Sequence, residues 1–151
     1  MAVATSSPAR LTWGTTGREA ATVSAYALGA ILLAGQAAVH VQQYFALYHE
    51  VRWIGPLFVA DGIVSAVVIA GLAVRRWQPL AALAGLAIAV GALGGLAVSY
   101  GRGLFGWQEA GFATPIKLAV ICEVGAALFL AAGPALELAF ATRRWPRRHP
   151  S

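Results

Sequence analysis

Four apolar stretches, each close to the length that crosses a bilayer, account for most of this chain of 151 residues. A hydrocarbon core about 30 Å thick takes about 20 helical residues to cross. No water is available there to satisfy free backbone N–H and C=O groups, so such stretches must close their hydrogen bonds within a helix. The first runs over about residues 20–48, the second over 56–74, the third over 79–100 and the fourth over 114–142. Pro56 and Pro79 stand at helix starts, where a missing N–H is no loss. Thr114-Pro115 supplies a capping side chain followed by a proline for the fourth. Pro134 falls inside that run and is expected to bend it by displacing the carbonyl four residues earlier. The fold class expected is all-α, a four-helix transmembrane bundle with antiparallel neighbours.

Composition agrees with a bilayer as the main solvent. Only 11% of residues are charged and 59% are hydrophobic, with mean hydropathy +0.69. A water-soluble domain carries roughly 25% charged residues. The net charge of +5 does not point to nucleic acid, because the basic residues flank the apolar runs instead of clustering among exposed polar or aromatic readers. The single Cys122 excludes an internal disulfide. Arginine and alanine usage suggests a GC-rich bacterial genome, hence a bacterial cytoplasmic membrane.

The basic residues also orient the bundle. Arg10 and Arg18 precede the first span, Arg75 and Arg76 join the second to the third, and Arg143, Arg144, Arg147 and Arg148 follow the fourth. The other side holds Arg52, Arg102 and Lys117. The positive-inside rule then places both termini in the cytoplasm, N-in and C-in. Trp53 and Trp107 fall at the outer boundary and Trp77 and Trp145 at the inner one, as an aromatic belt would. Residues 1–19 are expected to be a cytoplasmic tail, 20–142 the membrane domain and 143–151 a basic cytoplasmic tail. A cleaved signal peptide is the competing reading of the N-terminus; its apolar region runs about 7–15 residues, shorter than the first span, and no cleavage boundary follows. The connection at 101–113, rich in glycine and aromatics, is long enough to fold over the outer mouth of the bundle.

Three ionisable side chains interrupt the apolar runs: His40, Asp61 and Glu123. A charge at the bilayer centre costs at least about 2.5–3.5 kcal/mol on insertion scales, so such residues usually face a partner or a cavity. At 1.5 Å per residue they lie roughly 12, 8 and 14 Å below the ends of their helices, a shared depth in the outer half. Gln36, Gln43, Tyr44 and Leu47 share the face of His40, and Gly29 lies on it deeper down. Ser65 lies one turn below Asp61, while Ala119, Ala126 and Ala127 flank Glu123 and permit close approach. The candidate ligand-binding set is therefore Gln36, His40, Gln43, Tyr44, Asp61 and Glu123.

Three readings of the trio stay open. Polar side chains between membrane helices often act as hydrogen-bond glue, worth about 0.6 kcal/mol each. They also form ligand or proton sites, and less often metal sites. No H-E-x-x-H, E-x-x-H or C-x-x-C spacing is present, and no cofactor ligand set is evident. His49 lies half a turn out of phase with His40 and cannot join it on one helix. No nucleophile–base motif appears, so an enzyme is not the expectation. Gly91 and Gly95 form a G-x-x-x-G pair, with Ala81, Gly85 and Ala89 continuing a small-residue ridge on the third span. Gly85, Gly91 and Gly95 are thus candidate helix-packing positions, used within the bundle or against a membrane-protein partner or a second copy.

Four strings carry a resemblance: A-V-H-V-Q-Q-Y-F-A-L-Y, I-G-P-L-F-V-A-D-G-I, L-F-G-W-Q-E-A-G-F and I-C-E-V. The chain resembles small four-helix membrane proteins of actinobacteria without assigned activity, loosely similar to the DoxX-like group. That resemblance implies His40, Tyr44, Asp61, Glu109 and Glu123 as signature positions and assigns chemistry to none of them. Two functions are compatible with the sequence: an outer-leaflet polar pocket for a small ligand or proton, or a structural or assembly subunit docking a larger membrane complex.

Overall fold

The computed structural model describes residues 13–142, which form four long helices. These are α1 (Trp13–Ala46), α2 (Ile54–Leu72), α3 (Gln78–Gly101) and α4 (Thr114–Thr142). Single 3₁₀ turns at Tyr48–Glu50 and Arg75–Trp77 make the α1–α2 and α2–α3 connections short, and the neighbours they join run antiparallel. Each helix is long and apolar enough to cross a membrane. Their outward faces carry Ile31, Val67, Leu128 and Leu138, all about two-thirds exposed, an apolar surface far beyond what a soluble monomer shows. The protein is a multi-pass membrane protein.

Helix α1 begins at Trp13 instead of near residue 20, so its first turns belong to the segment expected as a tail. No proline interrupts residues 13–20, and polar residues there carry the helix beyond the apolar stretch. The expected basic tail at 143–151 and the N-terminal residues 1–12 lie outside the described residues. α4 continues as helix through Pro134.

The helices pack in cyclic order, α1 on α2, α2 on α3, α3 on α4 and α4 on α1. The α1–α4 pair is the most intimate and α2–α3 the least. The core sits toward the end that carries the start of α1, the α2–α3 connection and the end of α4, and Leu130 is its centre, fully buried. A Cβ at Gly29 would stand 2.6 Å from Leu130 Cδ2, and one at Gly85 would stand 2.6 Å from Cδ1. α1 and α3 therefore close on α4 only because both positions lack a side chain. The opposite end, which carries the α1–α2 and α3–α4 connections, is wider, and the polar residues lie there.

Candidate functional site

The polar residues of α1, α2 and α4 meet. His40 Nδ1 lies 2.8 Å from Asp61 Oδ2, and its Nε2 lies 3.4 Å from Glu123 Oε1. Gln36, one turn deeper on α1, donates from Nε2 to Asp61 Oδ1 at 3.0 Å. One imidazole thus bridges two carboxylates drawn from different helices, and an amide fixes the nearer carboxylate. The ring is held flat against Phe58, with centroids 4.7 Å apart and planes within 4°. Phe58 precedes Asp61 by three residues, so one face of α2 supplies both the stacking ring and the hydrogen-bond acceptor.

Each member is withdrawn from the surroundings. Gln36 is fully buried, Glu123 is 2% exposed and His40 8%. The histidine contact to Asp61 is an ordinary short hydrogen bond, whereas that to Glu123 is longer than the usual 2.7–3.2 Å. The other carboxylate oxygen, Glu123 Oε2, is buried without any hydrogen-bond partner. Gln36 Oε1 and the hydroxyls of Ser65 and Ser99 are in the same condition. In native structures a buried polar atom nearly always has a partner, in the protein or in bound solvent or ligand.

Beside the cluster is a half-open cavity of about 390 Å³. His40, Asp61 and Glu123 form its polar end, Gln43 and Ser99 add further polar groups, and the remaining wall is almost wholly apolar. Small-molecule sites commonly show this combination of apolar walls with a few convergent polar groups, in the range of about 300–1,000 Å³. His40 Nδ1 is taken by Asp61, and its Nε2 faces Glu123 at 3.4 Å. Among the described residues no group of three histidine, cysteine, aspartate or glutamate side chains is arranged to hold a metal.

The connection after α3 covers the cavity at the loop end. Leu104 and Trp107 exchange backbone hydrogen bonds, with Leu104 N donating to Trp107 O at 2.7 Å and Trp107 N to Leu104 O at 2.9 Å. The two residues between them turn with positive φ, 50° at Phe105 and 85° at Gly106, the left-handed pair that a tight hairpin requires. The hairpin brings Leu104, Trp107 and Glu109 onto the cavity wall. Tyr48 donates its hydroxyl to Glu109 Oε2 at 2.6 Å, and Trp107 Nε1 donates to the same oxygen at 3.2 Å. Burial, then the adjoining Glu109 carboxylate, holds the Tyr48 hydroxyl well above its ordinary value of 10.0, so it stays a donor. Tyr48 also meets Trp107 and Phe58 edge to face, at 5.5 and 4.7 Å. An aromatic series therefore runs from the covering loop through Tyr48 and Phe58 to His40.

The candidate set divides on this geometry. His40, Asp61 and Glu123 converge at the cavity, Gln43 lines it, and Gln36 stands behind Asp61 as a support. Tyr44 does not line the cavity; its ring packs on Phe45 and His49 near the α1–α2 connection. The small-residue ridge of α3 also splits. Ala81, Gly85 and Ala89 are buried in the core, but Gly91 and Gly95 line the cavity, and nothing stands within 4 Å of a Cβ at Gly91. The reason is register: two residues separate Ala89 from Gly91, a turn of about 200° on a helix, so the two groups cannot share a face. Absent side chains at 91 and 95 leave room for the cavity and seat no other helix of the bundle. Phe58, Ser99 and Tyr48 are not among the residues the sequence singles out, and Trp107 is singled out only as a boundary aromatic; of these, only Phe58, at three-residue spacing from Asp61, has a local signal for the site.

No protein-family model matches the chain, and no curated protein or solved structure shows significant similarity to it. The functional reading rests on the site.

Proposed function

We propose that this membrane protein binds a small ligand in the cavity beside His40, Asp61 and Glu123, with proton exchange within the cluster accompanying binding. The observation that carries the reading is the unpartnered carboxylate oxygen of Glu123, a buried residue that lines a cavity large enough to hold a ligand. A cluster serving only to hold helices together would use its acceptors on neighbouring helices. Here Asp61 does so with both oxygens, accepting from Gln36 and pairing with His40, while Glu123 keeps one oxygen in reserve. The His40–Glu123 contact accommodates a proton on either partner, either as imidazolium beside carboxylate or as neutral ring accepting from a carboxyl. Ligand at Oε2 would bias that choice.

Positive-inside charge and the tryptophan positions support an arrangement with both termini in the cytoplasm, which puts the cavity in the outer leaflet of a bacterial cytoplasmic membrane. The four quoted strings support, in addition, a distant relationship to the DoxX-like group. Native mass spectrometry of the full chain, purified in nanodiscs from its producing membrane, tests the binding function. The expected result is a bound small molecule on the wild type that Glu123→Gln releases. A wild type carrying nothing across several lipid backgrounds would sink the reading.

A further inference from the structure

The cavity has unequal walls. Val39 of α1 and Ala119 of α4 line it from buried or half-buried positions. Leu57 and Val64 of α2 and Ala87 and Gly91 of α3 also line it, yet each is exposed. Residues that face both a cavity and the surroundings mark an opening. The opening lies along the α2–α3 seam, the loosest contact between neighbouring helices. Counting 1.5 Å per residue from Ile54 and Gly101, these positions lie within roughly 20 Å of the loop end, at depths occupied by acyl chains. Access from the aqueous end is covered by the hairpin of Leu104 and Trp107, fastened through Glu109 to Tyr48.

The chemistry of the far end restricts what can pass that seam. The atom left without a partner there is Glu123 Oε2, while His40 Nδ1 is taken by Asp61. The cluster sets two carboxylates against one imidazole. It therefore calls for a head that donates hydrogen bonds and repels one that is anionic. The volume of about 390 Å³ sits near the low end for small-ligand pockets, which suits one aliphatic chain and not a two-chain lipid.

Resting on the binding function proposed above, we infer that the ligand is a single-chain amphiphile with a hydrogen-bond-donating head, an amine or an alcohol, that enters from the bilayer between α2 and α3 and places its head on Glu123. The amine is the better fit, because a charge-assisted hydrogen bond to a carboxylate is the stronger one.

Photolabelling of the full chain in phosphatidylcholine nanodiscs tests this, with a diazirine-tagged dodecylamine as probe and peptide mapping as readout. Label is expected on the α2 and α3 segments that line the seam. Unlabelled dodecylamine should compete best, dodecanol less well, and dodecanoate not at all. Gly91→Leu places a side chain where a Cβ meets nothing within 4 Å, so it narrows the seam without disturbing the fold. It is expected to slow labelling by about tenfold or more, while Glu123→Gln weakens competition by dodecylamine roughly tenfold, the scale of one charge-assisted hydrogen bond. Unchanged labelling in Gly91→Leu together with a loss in Glu123→Gln would overturn the lateral route and leave the binding function standing. Equal competition by dodecanoate would overturn the donor head. Labelling indifferent to both substitutions would overturn route and pocket together, as would a dimer in the nanodisc that Gly91→Leu dissociates.

Discussion

Asp61→Ala separates a buried partner from a lipid-facing charge by the sign of its effect on stability. Asp61 accepts from Gln36 Nε2 at 3.0 Å and pairs with His40 Nδ1 at 2.8 Å. Interhelical hydrogen bonds in membrane proteins average about 0.6 kcal/mol and reach about 1.7, so losing both should destabilise by roughly 1–3 kcal/mol. The larger figure of about 3–5 kcal/mol, for breaking a buried ion pair, is an upper limit here, since the unfolded chain in lipid also finds partners. Had Asp61 faced acyl chains, removing it would instead stabilise by about 2.5–3.5 kcal/mol, the insertion penalty of a central aspartate. Reversible unfolding in bicelles, followed by steric trapping or by added SDS, resolves differences of this size. A stabilised Asp61→Ala, or one indistinguishable from wild type, would refute the placement of Asp61 inside the bundle. Gln36→Leu should give the smaller loss expected of a single bond.

Other consequences are checked in the same preparation. Gly85→Ala forces Leu130 from a site where it already fills the space left by Gly29, and should destabilise by about 1–3 kcal/mol through overpacking. Combined with Leu130→Ala the loss should fall short of the sum by about 1 kcal/mol, a coupling that a double-mutant cycle reads directly. The raised Tyr48 hydroxyl sets a pH dependence: the folded state holds its proton above the unfolded value near 10, so stability is constant below about pH 10 and falls as pH rises beyond it. Tyr48→Phe should flatten that alkaline fall, as judged by thermal unfolding between pH 8 and 11; an equal fall in both proteins would remove Tyr48 as its source. For orientation, single cysteines at Gly106 and at Arg76, in a chain with Cys122 replaced by alanine, should react with an impermeant maleimide on intact cells at 106 and not at 76.

The bundle was legible in the sequence because the bilayer imposes length. Span boundaries came within a few residues at α2, α3 and α4, where proline or a basic pair meets the edge of an apolar run. The start of α1 was not, since a helix need not stop where its apolar stretch does, and Trp13 to Glu19 form polar turns beyond it. The meeting of His40, Asp61 and Glu123 followed from depth, because short connections fix antiparallel register and so convert position along the chain into height. What height cannot supply is rotation about each helix axis. Tyr44 shares the polar face of α1 in a wheel projection, yet it packs at the connection instead of the cavity. Gly91 and Gly95 carried the signature of close helix approach and lie at a wall where no helix of the bundle approaches. Contacts made through the 102–113 hairpin, such as Tyr48 with Glu109, join residues far apart in sequence and left no periodic trace.

A crystal structure grown with dodecylamine in a lipidic mesophase is the decisive measurement. A chain of density is expected along the α2–α3 seam, with its head within about 3 Å of the Glu123 carboxylate. A cavity closed by repacked side chains, with Glu123 Oε2 bonded to a neighbouring helix, would contradict it.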